Sequence, residues 1–267
     1  MLKDITLGQY FPGNTVIHRL DPRTKLLLLI VYIVTLFLCR TIYAYALIFV
    51  FLTSVILLSR IRLKTLLRGL KPLLIIITLT ALLNLFYTDG EVLCRFWIFR
   101  ITREGIRAAL FLVLRIVFLV LGTLLLTYTT SPIALTDGLE TLLSPLKKIH
   151  FPVHELALMM SIALRFIPTL IEETDKIISA QKARGADFES GNLLRRAKAL
   201  IPILVPLFVS AFRRADELAT AMECRCYHGG DGRTKLRQLR FALRDLFAFL
   251  CVGALLAGVI VLRAFGL

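Results

Sequence analysis

Few residues in this chain have the means to do chemistry. Cys224 and Cys226 stand one residue apart, with His228 close by. Two thiolates and an imidazole supply only part of a zinc shell, and no second pair completes it. The simpler account makes the cysteines small neighbours of Arg225. His150, His154 and His228 have no serine or cysteine in a recognisable nucleophile setting. There is no G-x-x-x-x-G-K-[ST] phosphate loop and no paired-histidine metal spacing. Intramembrane acids, the usual mark of a proton relay, are missing from the apolar runs. The chain carries no motor, and nothing in it calls for a bound cofactor or metal.

Two arginines are different. Ala183-Arg184-Gly185 and Cys224-Arg225-Cys226 each place an arginine between small residues at the end of a helix-like run. A helix cap explains one such ending: Arg184 suits the negative end of the helix dipole, and Gly185 can turn left-handed. Two such endings, after two long amphipathic runs, call for more. A guanidinium is a planar fork that pairs bidentately with a carboxylate, and small neighbours let it enter a groove. The pattern predicts two plugs for two cytoplasmic partner subunits.

The elements that position these arginines are membrane elements. Hydrophobic residues make up 57% of the 267 positions, and the mean hydropathy is +0.78. That composition predicts an all-α polytopic membrane protein. The formal net charge of +15 would suggest nucleic acid in a soluble protein. Here the basic residues flank apolar runs, as membrane orientation requires, and no nucleic-acid motif accompanies them. The five cysteines, Cys39, Cys94, Cys224, Cys226 and Cys251, do not form a disulfide framework.

Residues 1–25 read as an opening loop without a cleavable signal, closed by a helix start at Asp21-Pro22. The apolar run from Leu26 to Ser59 is too long for one crossing of a ~30 Å core, so it must turn at Cys39-Arg40-Thr41. About five spans follow from this reading: 24–39, 42–59, 72–87, 105–128 and 246–261. The first is short, so either Lys25 snorkels or the bilayer thins. Thr88-Asp89-Gly90 reads as a turn, and Val92 to Ile101 as a short interfacial hairpin or loop. Arg115, inside a span, must face protein or water, and a structural pairing is favoured over transport. Residues 134–149 read as an amphipathic helix. So do 154–184, which Pro168 should kink, and 193–226, with Pro202 and Pro206; too charged to span, they lie on or under the membrane.

The predicted organisation is a membrane region over 1–130, a cytoplasmic block of long amphipathic coupling helices over 131–242, and a C-terminal span over 243–267. The basic 60–71 loop and 131–245 block set the topology. The N-terminus and block lie inside and the C-terminus outside, with the four arginines between 95 and 107 an exception. A self-contained secondary transporter or a polytopic membrane enzyme is the alternative. The first needs a midplane site, toward which only Arg115 points; the second needs a catalytic constellation that the sequence does not offer.

Several runs resemble a known family. They are Thr129-Thr130-Ser131-Pro132, Leu164-Arg165-Phe166-Ile167-Pro168, Ala180 to Gly185, Ile201-Pro202 to Phe208, and Arg213 to Arg225. Together they are similar to the transmembrane (T) component of energy-coupling factor transporters, the EcfT family. The resemblance implies a scaffold in a prokaryotic cell membrane. Two ABC-type ATPases of the EcfA and EcfA′ kind, which carry ATP and Mg, would dock on Arg184 and Arg225 and their small neighbours. An interchangeable S component would bind the vitamin or other micronutrient and rest on apolar faces of the coupling helices. Leu156, Met159, Met160, Ala163, Leu204, Leu207 and Phe208 are the candidates for that contact, methionine being adaptable where several partners must fit. The stretch Tyr227 to Thr234 looks like the shared, multi-substrate kind of scaffold. Cys224-Arg225-Cys226 stands where the family usually has Ala-Arg-Gly, so the loss of glycine bears on the local cap geometry.

Overall fold

The computed structural model describes residues 10–88, 92–96, 99–186, 188, 192–230 and 238–265. The expected turn beyond Thr88, most of the 187–192 loop and the basic residues Arg233, Lys235 and Arg237 lie outside them.

Asp21 opens α1 (Pro22–Leu38) by accepting from the backbone N–H of Arg23, with Pro22 at the first helical position. The chain turns at 39–41, where the arginine interrupts the apolar run, and α2 (Ile42–Ser59) returns. Next come α3 (Leu63–Leu70), a 3-10 turn over Lys71–Leu73 and α4 (Leu74–Tyr87). The expected third span is thus part of a 25-residue helical run, Leu63–Tyr87. Two strands, β1 (Val92–Phe96) and β2 (Phe99–Thr102), form the antiparallel hairpin, with Arg95 opposite Arg100. Thr102 then caps α5 (Arg103–Thr129) by accepting from Gly105 N–H.

Then α6 (Pro132–Leu143) follows. The helix expected over 134–149 stops being α-helical here, because Pro145 has no N–H to give; a 3-10 segment carries the chain over Ser144–Ile149. The two long helices are α7 (Val153–Ala183) and α8 (Leu193–Glu223), and α9 (Leu243–Ala264) is last.

Among the described residues five helices are long and apolar enough to cross a membrane, but they are not the expected five. At 17 residues, α1 rises only about 25 Å, short of a hydrocarbon core. By length and composition α7 qualifies, with the lowest mean hydropathy of the set at 1.4. Its charges explain this: Glu172, Glu173, Asp175, Lys176 and Lys182 all fall in its second half. The first half is an apolar stretch that the whole-helix reading overlooked.

The chain divides into two compact units. One contains Gly8–Thr141 and Leu239–Leu267. Its core gathers Tyr32, Leu36, Tyr45, Ile48, Leu52, Phe118, Leu125, Tyr128, Leu255 and Val259 from α1, α2, α5 and α9. Helices α1 and α5 meet closely at Gly122, where a Cβ would come 2.5 Å from the Tyr32 ring. The Tyr32 hydroxyl donates to the Phe118 carbonyl at 3.0 Å.

A buried polar knot ties the starts of α1 and α9 to the end of α5. Lys25 does not snorkel. It is 7% exposed, and its Nζ donates to the carbonyls of His18 (3.2 Å) and Thr129 (2.9 Å) and to Thr130 Oγ1 (3.1 Å). Three donors with three acceptors leave the ammonium no need of water. Asp245 is 2% exposed and accepts from the backbone N–H of Asp21 (2.9 Å) and of Ala242 (2.8 Å). Arg23 closes the knot, forked onto Asp21 and stacked over the Phe241 ring.

Arg115 faces protein, as expected, and its partners are now visible. Nε donates to the Tyr45 hydroxyl and Nη2 to the Cys39 carbonyl, both at 3.2 Å, and the guanidinium lies over Phe37. A cation at the last carbonyls of α1 is favoured by the helix dipole.

Candidate functional site

The second unit contains Leu142–Gln238 and is built on α7 and α8. They run antiparallel. Gln181 Nε2 donates to the Pro202 carbonyl at 3.5 Å, while eight residues back on α7 Glu173 accepts from Ser210 Oγ and from Arg214 Nη2 (3.0 Å). Beyond α8, Gly230 packs on His154 at the start of α7, leaving no room for a Cβ. Each helix has 31 residues and rises roughly 46 Å. Their C-termini, and hence the two arginines, therefore lie at opposite ends of the hairpin.

Both ends close in the same way. At the end of α7, Gly185 N–H bonds the Lys182 carbonyl and Ala186 N–H bonds the Gln181 carbonyl, both at 3.0 Å. At the end of α8, Cys226 N–H bonds the Glu223 carbonyl (2.8 Å) and Tyr227 N–H bonds the Met222 carbonyl (3.0 Å). This crossed pair of bonds is the Schellman motif. Arg184 and Arg225 hold equivalent places, each followed by a left-handed residue: Gly185 at φ 86° and Cys226 at φ 58°. The missing glycine has not altered the cap; the cysteine adopts its conformation.

The carbonyls of each last turn are thus bonded by backbone N–H groups, so neither cap uses a guanidinium. Ala183, Arg184, Gly185, Cys224, Arg225 and Cys226 are all exposed, and neither arginine has a side-chain partner among the described residues. Each is a free planar cation at the tip of a rigid helix, flanked by small side chains and available to a carboxylate.

A left-handed backbone costs a non-glycine residue roughly 1 kcal/mol. Cys226→Gly should therefore raise stability by about that amount, or a few degrees in melting midpoint, and leave every property that depends on Arg225 unchanged. Thermal unfolding in detergent, wild type against variant, reads the difference.

The apolar candidates divide. Leu156, Met159, Met160 and Ala163 are exposed on α7, and Leu204 and Phe208 on α8. Leu207 is only half-buried and falls, at helical spacing, on the stripe of Ile203, Ser210 and Arg214 that faces α7. On the open side of α8, Val205, Val209 and Phe212 are 56%, 59% and 73% exposed; the sequence reading passed over them. Their i, i+4, i+7 spacing was the signal, masked by apolar neighbours on both sides.

A family model described as CbiQ, cobalt transport protein, matches residues 13–236, a stretch holding both arginine caps and all of α7 and α8. The chain is 56% identical over 262 residues to the energy-coupling factor transporter transmembrane protein EcfT of Thermosediminibacter oceani, covering 98% of this chain and 99% of that one. It is 57% identical over 253 residues to the protein of that name from Clostridium kluyveri, covering 94% of each. With the Bacillus subtilis protein of that name the identity is 49% over 265 residues, covering 99% of this chain and all of that one.

Proposed function

The chain belongs to the EcfT family of energy-coupling factor transporter transmembrane proteins, and from that premise we propose that it is the scaffold that couples two cytoplasmic ATPases to a separate substrate-binding membrane subunit. One observation carries the reading: two equivalent, exposed, unpartnered arginines stand at opposite ends of one helical hairpin. Such an object engages two similar partners, one at each end. ABC-type ATPases, holding ATP and Mg themselves, would bring carboxylates to Arg184 and Arg225. The chain itself performs no hydrolysis.

The S component would rest on the open apolar side of the hairpin, on Leu156, Met159, Met160, Ala163, Leu204 and Phe208, with Leu207 supporting the pairing of α7 and α8. ATP-driven closure of the ATPases would move the hairpin's two ends and so reorient the S component with its vitamin or other micronutrient. On this reading 131–242 is the coupling region, cytoplasmic like the N-terminus, in the cell membrane of a prokaryote.

The test is purification of the tagged protein from its native membrane in mild detergent, with mass spectrometry of what accompanies it. Two ABC-type ATPases and a small membrane protein are expected. A chain that emerges alone and folded, or that takes up substrate alone after reconstitution, overturns the reading.

A further inference from the structure

A groove crosses the unit of Gly8–Thr141 and Leu239–Leu267 at the end of α2. One half, about 480 Å³, is apolar and lies between α1, α2, α5 and α9, with Tyr32, Leu125, Phe247 and Cys251 among its walls. The other half, about 990 Å³, opens between the 11–18 loop and the α2–α3 turn, where Asn14, Arg60, Arg62 and Thr65 line it. Val16 and Leu58 wall both halves; they are 54% and 58% exposed, so the junction is uncovered.

The charges are one-sided. Among the described residues no Asp or Glu lines either half, while Arg60, Arg62 and, beside the apolar half, Arg244 do. All three are exposed, and their guanidinium groups have no hydrogen-bond or ion-pair partner among the described residues. The groove's two other titratable groups of this kind are occupied. Lys25 is saturated by its three acceptors. His18 donates from Nε2 to the Phe11 carbonyl (3.1 Å), and its Nδ1 shares a hydrogen bond with Thr15 Oγ1 (2.6 Å). Burial also lowers the His18 pKa, which favours the neutral ring. The free positive charge is therefore that of the arginines.

An apolar slot that shares Val16 and Leu58 with an adjoining cationic mouth, at the point where an apolar span gives way to Arg60, Arg62, Lys64, Arg68 and Lys71, asks for a ligand with an acyl chain and an anionic head. We propose that this groove seats an anionic phospholipid, its phosphate on Arg60 and Arg62 and an acyl chain in the apolar half. Basic pockets between membrane helices hold lipid headgroups in this way, and arginine's fork matches phosphate oxygens. The site needs neither the ATPases nor the S component, so it stands or falls separately from the coupling role.

The full chain in nanodiscs of phosphatidylcholine with rising phosphatidylglycerol provides the test. Lipid retained per chain is counted by native mass spectrometry, and the melting midpoint is followed in parallel. Wild type should retain phosphatidylglycerol over phosphatidylcholine and gain stability from it. Arg60→Ala with Arg62→Ala should weaken retention roughly 30-fold, at the usual contribution of two cations near a lipid surface. Ala248→Trp, which fills the apolar half and leaves every charge in place, should lose the lipid too. Lys147→Ala with Lys148→Ala, an exposed pair outside the groove, should behave as wild type. Equal retention of the two lipids by wild type, unchanged retention in both groove variants, or an equal loss in the lysine pair overturns the proposal.

Discussion

On the proposed coupling role, replacing Arg184 and Arg225 together with alanine is expected to release both ATPases from a scaffold that is still folded. Truncating a central interface arginine commonly costs 2–4 kcal/mol, or about 30- to 1000-fold in affinity at each end. Part of that is the carboxylate left buried without a partner. The scaffold itself should lose no more than about 0.5 kcal/mol, the usual range for an exposed side chain without contacts. The cap hydrogen bonds are made by backbone N–H groups of Gly185, Ala186, Cys226 and Tyr227, which alanine leaves in place. Because the two ends are far apart, single variants should act independently, each weakening one subunit. Lysine should restore charge but not the fork, giving partial rescue. Quantitative mass spectrometry of co-purified subunits, with a melting curve for each variant, separates the outcomes. Full retention of both ATPases in a folded double variant would rule out the arginines as docking points.

Asp245→Ala should be the most destabilising single change outside the apolar core. It strips the acceptor from two backbone N–H groups, Asp21 (2.9 Å) and Ala242 (2.8 Å), at a position only 2% exposed. An unmet buried donor costs about 1–3 kcal/mol. The Lys25 ammonium, held by its three oxygen acceptors, also loses the through-space attraction of the Asp245 carboxylate. A fall on the order of 10 °C in melting midpoint follows. Asp245→Asn keeps one acceptor oxygen and should fall less. A midpoint for the alanine variant within a degree or two of wild type would mean the knot is not what holds α9 to α1 and α5. Hydrogen exchange at the start of α9 localises the damage.

Arg115 bears on the discarded alternatives. As an intramembrane charge it was the one feature pointing toward a transport site of the chain's own. Its guanidinium is engaged by Tyr45 and the Cys39 carbonyl, a structural use that needs no permeating ion. The sequence placed Arg115 against protein or water because lipid is costly for a cation. It could not name partners some 70 positions upstream.

What this protein's sequence determined by itself is what neighbouring residues decide. Apolar run lengths made it a multi-pass membrane protein. The interruption at Cys39-Arg40-Thr41 set the first turn, Asp21-Pro22 the first helix start, and Arg184-Gly185 a capped helix end, because capping and hydrogen-bond closure act within about six residues. The tertiary structure decided the rest. Lys25 is buried rather than snorkelling because Thr129 and Thr130, about a hundred residues away in sequence, bring acceptors to it. Leu207 turns toward α7, and Phe212 away, because the helix pairing chooses which stripe of an all-round apolar segment is covered. Cys226 takes a glycine's conformation because crossed hydrogen bonds outweigh its local strain. The two arginines became opposite ends of one object only when α7 and α8 packed antiparallel, an arrangement made by side chains such as Glu173 and Arg214 that no local pattern in the chain relates.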